Sequence, residues 1–99
     1  MSDALNEASV VGRRPDLVGS DIDGETVMMS IENGKYYGLN PVGSRIWSLL
    51  DEPRPVSEIC ETLVREFEVQ PDRCLLDVLN FLRKLQKEKL IHVDYPQSA

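Results

Sequence analysis

The chain has 99 residues, of which 41% are hydrophobic and 28% charged, and its formal net charge is −6. This length allows one domain with one modest core, and the composition is that of a globular protein rather than a disordered or fibrous one. No apolar run reaches the ~20 residues of a membrane span, and no secretory signal peptide is recognisable at the start. The acidic balance disfavours nucleic acid and anionic lipid as partners. We therefore expect a cytoplasmic protein that binds neither membrane nor nucleic acid.

The first predicted elements are two strands joined by a tight turn. Leu17–Ile22 is a weakly patterned strand and Glu25–Glu32 alternates more clearly. Asp23-Gly24 between them is a two-residue turn signal, because both central positions of a type I′ turn favour positive φ. The alternation predicts that the second strand is half-buried, with one apolar face made of Val27, Met29 and Ile31.

A third strand follows a second turn signal. Asn33-Gly34 precedes Lys35–Leu39, in which Tyr37 and Leu39 are predicted to face the core. For Tyr36, packing in the core and a role in binding are equally open. Two hairpins in succession predict an antiparallel meander, and a sheet of this size needs a packing partner to be stable.

The pair Asn40-Pro41 predicts where the first helix begins. Pro41 has a fixed φ suited to a first helical position, and the Asn40 side chain can accept from a backbone N–H two or three residues on. The helix stops before Pro53. Trp47, on the apolar stripe of this helix, is predicted to be buried between the sheet and the helices. The other members of that stripe are Val42, Ile46, Leu49 and Leu50.

Apolar spacing predicts two further helices. The third helix runs from about Asp72 to Glu88, with Pro71 at a first helical position, and Leu90–Val93 can form a short last strand. The second helix has an unbroken i, i+3, i+4, i+7 pattern made of Val56, Ile59, Cys60, Leu63, Val64 and Phe67.

This order of elements predicts an α+β, winged-helix-like fold, in which a three-stranded antiparallel sheet is followed by three helices. Residues 10–93 are expected to form the domain. We expect residues 1–9 to be a flexible N-terminus and residues 94–99 a flexible tail.

No residue pattern indicates catalysis or metal binding. His92 is the only histidine and has no Cys or acidic partner at ligand spacing. Cys60 and Cys74 lie on apolar helix faces, where a free thiol behaves as a small hydrophobic group. No base accompanies Cys60. We therefore expect no enzyme activity, no cofactor and no metal site.

The third helix is apolar over a wider arc than one core contact requires. Its core stripe is predicted to be Cys74, Val78, Phe81, Leu82 and Leu85. The extra arc is either a second core contact or the wall of a groove beside the third strand, whose free edge can pair with an extended peptide. The predicted peptide-binding residues are Lys35, Tyr36, Tyr37, Gly38, Leu39, Leu75, Leu76, Leu79 and Arg83.

A winged helix also raises the alternative of a DNA-binding regulator, in which a recognition helix enters the major groove. Arg73, Lys84 and Lys87 lie roughly on the outer side of the third helix. Asp77 and Glu88 interrupt this patch, and the acidic chain opposes attraction to phosphate.

The pattern of turns, aromatic strand and helix start resembles a known family. The motifs are Asp23-Gly24-Glu25-Thr26-Val27, Tyr36-Tyr37-Gly38-Leu39-Asn40, Gly43, Ile46-Trp47 and Asp77-Val78-Leu79. They are similar to those of PqqD-like peptide-recognition domains, the RiPP recognition elements, and most like the stand-alone B1 proteins of lasso-peptide biosynthesis. The chain departs from the pattern at Pro55, where a Ser or Thr cap is common, and at Lys89, where a Gly often ends the third helix.

The resemblance implies a non-catalytic protein that binds the leader of a ribosomally made precursor peptide. In such proteins the leader pairs with the third strand and packs on the third helix. A stand-alone member presents the precursor to a separate leader peptidase of the B2 type and to an ATP-dependent lasso cyclase. The related alternative is a PqqD-type peptide chaperone that serves a radical SAM enzyme in another pathway of the same class.

Overall fold

The structure is a computed structural model that describes residues 5–15, 17–23 and 25–94. Three helices and two small antiparallel sheets form an α+β fold, which confirms the predicted class. In chain order the elements are β1 Val10–Arg13, β2 Leu17–Ile22, β3 Glu25–Ser30, β4 Lys35–Gly38, α1 Pro41–Leu49, β5 Arg54–Pro55, α2 Val56–Phe67, α3 Pro71–Lys87 and β6 Ile91–Asp94.

The predicted meander is the sheet β2-β3-β4. Its first turn has the predicted length, because Ile22 pairs with Glu25 and leaves two positions between the strands. Asp23 has the positive φ, 52°, that a type I′ turn requires, while Gly24 lies outside the described residues. The sheet therefore begins with the tight hairpin that the sequence indicates.

The predicted apolar face of β3 is wrong. Met28 and Ser30 are buried, with 1% and 2% of their surface exposed, whereas Ile31 is 63% exposed. The strand ends at Ser30 because its hydroxyl and its carbonyl accept from the backbone N–H groups of Asn33 and Gly34. Residues 31–34 thus form a four-residue turn. Because neighbouring positions on a strand lie on opposite faces, the face with Met28 and Ser30, and not the predicted one, lies against the core.

The first helix begins as the sequence predicts. Asn40 is its N-cap, and the side-chain oxygen accepts from the Gly43 N–H at 2.7 Å. Trp47 is buried, as expected, and only 5% of its surface is exposed. The Arg13 guanidinium lies 4.8 Å from the centre of the Trp47 ring and also donates to the Trp47 carbonyl at 2.6 Å.

A second sheet, with strand order β5-β1-β6, is an addition to the predicted fold. It joins the start of the domain to its end, because Val10 pairs with Asp94 and also with Pro55. Just before it, Leu5 is buried and the Ser9 carbonyl accepts from Val56 N–H at 2.9 Å. The packed part of the chain therefore begins at Leu5 rather than at Val10. Residues 1–4 and 95–99, at the two termini expected to be flexible, lie outside the described residues.

The two departures from the family pattern fall at helix ends. Pro55 is the N-cap of α2 and its side chain makes no capping hydrogen bond. Glu88 caps α3, and Lys89 has φ of 62°, the left-handed conformation that glycine adopts most easily. Among the described residues, no helix has the length and hydrophobicity needed to cross a membrane.

Candidate functional site

The outer edge of β4 presents unpaired backbone groups. The Leu39 N–H donates to the Thr26 carbonyl at 2.8 Å, which marks these two residues as a hydrogen-bonded pair. Such pairs alternate along an antiparallel ladder. The backbone N–H and C=O groups of Tyr36 and Gly38 therefore point away from β3, and β4 is the last strand of its sheet.

Helix α3 lies alongside β4. At its C-terminal end, Glu88 accepts from the Tyr37 hydroxyl at 2.8 Å through its carboxylate and from the Asn33 side chain at 2.8 Å through its main-chain oxygen. Seven residues earlier, Phe81 lies beside the residues that follow β4: a methyl group added to Gly43 would come within 3.2 Å of the Phe81 ring. The helix thus borders the segment that runs from β4 to the start of α1, over about 10 Å.

We call the space between the β4 edge and this side of α3 the groove, and its helical wall the α3 flank of Phe81, Lys84 and Glu88. At roughly 100° per residue, Lys84 is displaced by about 60° from Phe81 and by about 40° from Glu88. The Lys84 side chain is exposed. An extended peptide that pairs with Tyr36 and Gly38 would place alternate side chains against this flank.

At the Asn40 end, the groove meets an apolar cavity of about 380 Å³. Phe81 lines both the cavity and the groove. Three hydrophobic residues at the cavity are unusually exposed for their size, with 42%, 38% and 38% of their surface accessible: Val42, Phe67 and Val69. Exposed apolar side chains around a concave site indicate that a hydrophobic group from a partner can be buried there.

The structure separates the predicted site residues into two groups. Those on β4 lie together at the edge strand: Lys35, Tyr36 and Gly38 are exposed, Tyr36 with 74% of its surface, Tyr37 is half-buried, and Leu39 is buried in the core. The second group lies on α3, about 120° to 160° around the helix from Phe81, at Leu75, Leu76, Leu79 and Arg83.

The structure therefore does not bring these α3 residues to β4. Leu75 and Leu79 pack against the core, and Leu76 is 54% exposed. Helical periodicity shows that α3 has two flanks beside its core stripe, but it does not show which flank faces the sheet. Phe81, assigned to the core by its spacing, is half-buried at the groove. Nothing in the local sequence distinguishes that position from the rest of the stripe.

The titratable groups show no nucleophile or metal site among the described residues. Burial raises the pKa of the Cys60 thiol to about 12, with smaller contributions from Cys74 and Glu7, and burial also raises the pKa of Cys74. Both thiols are free and stay protonated near neutral pH. No three His, Cys, Asp or Glu side chains are grouped as metal ligands in the described ranges. The groove thus offers backbone pairing, apolar contact and a lysine cation.

The opposite edge strand, β2, borders a larger cavity of about 550 Å³ beside α1. Three arginines line it, but each already has a partner. Arg45 forms two hydrogen bonds of 2.8 Å to Glu66, Arg14 lies 3.9 Å from Glu32, and Arg13 contacts Trp47. The β4 side differs in having an apolar cavity at one end and, beside it, an exposed lysine, Lys84, that has no ion pair among the described residues.

Comparisons with known proteins identify a family and several similar solved structures. The family described as "Coenzyme PQQ synthesis protein D (PqqD)" matches residues 25–91. The structure of TbiB1 in complex with the TbiA(beta) leader peptide is similar, with a TM-score of 0.79 and 35% sequence identity; the match covers 87% of this chain and 99% of that one. A search among curated proteins gave no match.

Two further solved structures share the fold at lower identity. A lasso peptide synthetase B1 complexed with its leader peptide has a TM-score of 0.74 and 20% identity, over 83% of this chain and 96% of that one. The PqqD truncation of Methylobacterium extorquens PqqCD, a stand-alone RiPP recognition element, has a TM-score of 0.76 and 18% identity, over 90% and 95%.

Proposed function

The chain belongs to the PqqD family, and we propose that it binds the leader segment of a ribosomally made precursor peptide by adding the peptide to β4 as a further strand. The resemblance to a PqqD-like RiPP recognition element is confirmed by the family match and by the 35% identity with TbiB1. TbiB1 was solved with a leader peptide bound, which supports a leader as the ligand here.

The observation that carries this proposal is the free edge of β4 beside the α3 flank. The outward backbone groups of Tyr36 and Gly38 supply hydrogen bonds that do not depend on the peptide sequence. Specificity then comes from alternate peptide side chains, which fall on α3 and in the cavity next to Asn40. Burying one large apolar anchor there is worth roughly 1.5 to 3 kcal/mol.

By this proposal the protein acts without chemistry of its own. It holds the precursor for a separate leader peptidase of the B2 type and an ATP-dependent lasso cyclase, in the cytoplasm. The similarity to TbiB1 and to a lasso peptide synthetase B1, both solved with a leader peptide, supports the lasso-peptide setting. The family match to PqqD keeps a second candidate, a peptide chaperone for a radical SAM enzyme, which would use the same groove. The genes beside that of the chain distinguish the two settings.

A matched pair of proline variants tests the binding edge. The N–H of Gly38 points outward from β4, and by the same alternation the N–H of Gly19 points outward from β2. Proline at either position removes one outward donor without breaking the ladder. A side chain is also tolerated, because an added Cβ has no neighbour within 4 Å at Gly38 and none nearer than 3.8 Å at Gly19.

The measurement is a titration of the ¹⁵N-labelled protein with a synthetic leader of the precursor encoded beside it. We expect amide shifts at Tyr36, Gly38, Phe81 and Lys84. Gly38→Pro should weaken binding by about tenfold or more, because strand addition loses a hydrogen bond and its close approach. Gly19→Pro should bind as the wild type does. Shifts along β2, with Gly19→Pro as the damaging variant, would place the peptide at the other edge.

A further inference from the structure

The charge of α3 differs in sign from that of the whole chain. The helix carries Arg73, Arg83, Lys84 and Lys87 against Asp72 and Asp77, so it is net positive in a chain of net charge −6. The negative end of the helix dipole favours Lys84 and Lys87 in the last turn, so their position along the helix does not by itself indicate a ligand. The partners of the four cations in the structure show which of them is available to a ligand.

Lys84 is the cation that faces the groove without a counter-charge. Arg73 lies 3.4 Å from Asp77, and Arg83 donates to Asn80 at 3.2 Å. Lys87 lies about 120° around the helix from Phe81, twice as far as Lys84, and so points away from the groove. The acid at i+4 from Lys84 is Glu88, but its carboxylate is turned to the Tyr37 hydroxyl and to Lys35, 3.8 Å away. Within the described residues, Lys84 therefore has no ion pair. The Glu88 carboxylate is already compensated, and Asp77, two turns earlier on the same side of the helix, is paired with Arg73.

We infer that the recognised peptide carries an acidic side chain that pairs with Lys84, on the same face as the apolar anchor at Phe81 and two to four residues from it. This inference rests on the proposed function. Lys84 lies about 4.5 Å further along α3 than Phe81. Same-face side chains of a strand recur about every 6.6 Å. An acidic residue two positions from the anchor, or four positions where the peptide crosses α3 at an angle, therefore lies near the Lys84 ammonium.

The test compares two neighbouring cations of one helix. Lys84→Glu and Arg83→Glu make the same change in net charge at exposed positions, but Arg83 lies about 160° around α3 from Phe81. The probe is a fluorescein-labelled synthetic leader of the precursor encoded beside the chain, measured by anisotropy. Because Lys84→Glu removes an exposed ion pair and also places a like charge opposite the acid of the peptide, we expect it to weaken binding by about five- to tenfold. Arg83→Glu should change it by less than about twofold.

A charge swap gives the decisive result. Replacing the acidic residue of the peptide by Lys should weaken binding to the wild type and restore it to Lys84→Glu. If Lys84→Glu binds the leader as tightly as the wild type while the amides of Tyr36 and Gly38 still shift, the acidic contact is wrong and the groove stands. The acidic contact is also wrong if a leader that binds has no acidic residue two to four positions from its apolar anchor. If the wild type binds no leader, the proposed function itself fails.

Discussion

The hydroxyl of Tyr37 donates a hydrogen bond of 2.8 Å to Oε1 of Glu88 and so ties the middle of β4 to the C-terminal end of α3. Lys35 Nζ lies 3.8 Å from the same oxygen, and the Asn33 side chain donates to the Glu88 main-chain oxygen at 2.8 Å. Three contacts from the β3–β4 hairpin thus converge on one residue. The distance between the edge strand and the helix is fixed at this point.

Tyr37→Phe should widen the groove at small cost to the fold. Removing the hydroxyl loses one hydrogen bond to a carboxylate, a loss of about 1.5 to 3 kcal/mol at most, because Glu88 remains partly hydrated. We expect a lower urea midpoint and a several-fold weaker affinity for the leader. Glu88→Gln is the control, since its side-chain oxygen still accepts the hydrogen bond. A Tyr37→Phe protein with unchanged stability and affinity would show that this contact does not set the groove.

Trp47→Ala should destabilise the domain throughout. Trp47 is almost fully buried and carries the Arg13 guanidinium on its ring. The substitution should cost roughly 3 to 5 kcal/mol, a large part of the ~5 to 15 kcal/mol available to a small domain. Thermal melts should show a large drop in Tm, and weaker leader binding should follow from unfolding. Trp47→Phe keeps an aromatic ring beside Arg13 and should lose less. A Trp47→Ala protein that melts normally but binds no leader would instead place Trp47 in the site.

Substitutions on α3 separate the core from its two flanks. Val78→Glu should unfold the domain, because the position is 2% exposed and an unpaired charge would be buried. Leu76→Glu, at an exposed position, should stay within about 0.5 kcal/mol of the wild type and keep its leader affinity, and Leu79→Glu should be intermediate in stability. The measurements are Tm and leader affinity for all three. Loss of binding by a stable Leu76→Glu protein would return the far flank to the site, as the apolar arc in the sequence predicts.

The Cys60 thiol gives a pH-dependent stability. Its pKa is raised from 9.0 to about 12 in the folded protein, chiefly by burial. The folded chain therefore holds a proton that the unfolded chain releases above pH 9.0, so stability present below that pH is lost as the pH rises toward 12. Urea titrations at about pH 8 and about pH 10 should show a larger fall for the wild type than for Cys60→Ala. Equal falls would mean that the thiol is not shielded. We also expect the Cys60 thiol to be alkylated slowly in the native protein and quickly after unfolding.

Local chemistry explains which parts of the fold could be predicted. The Asn40 side chain supplies the capping hydrogen bond and the Pro41 ring fixes a helical φ, so the start of α1 could be predicted without tertiary information. The face of β3 did. Val27 and Met29 alternate as regularly as Thr26 and Met28, and the buried face is the one on which other elements of the fold pack.

Contacts between distant segments account for the rest. The sheet β5-β1-β6 pairs Val10 with Asp94 and with Pro55, and four- or two-residue strands carry too little pattern to indicate such partners. In the same way, the spacing of α3 gave its buried stripe correctly at Cys74, Val78, Leu82 and Leu85. It did not give the neighbour of each flank, because that depends on where β4 lies.

The pairing of β1 with β6 closes the domain by joining its first strand to its last. Val10, where β1 starts, lies directly across from Asp94, where β6 ends, and residues opposite each other on antiparallel strands are about 5 Å apart. The residues just before β1 are held against the start of α2, where Val56 N–H donates to the Ser9 carbonyl and Ser57 N–H to the Glu7 carbonyl. The β4 edge belongs to the other sheet. The strands that close the domain and the strand proposed to receive the peptide thus belong to different sheets, so pairing a peptide with β4 leaves the closing sheet intact.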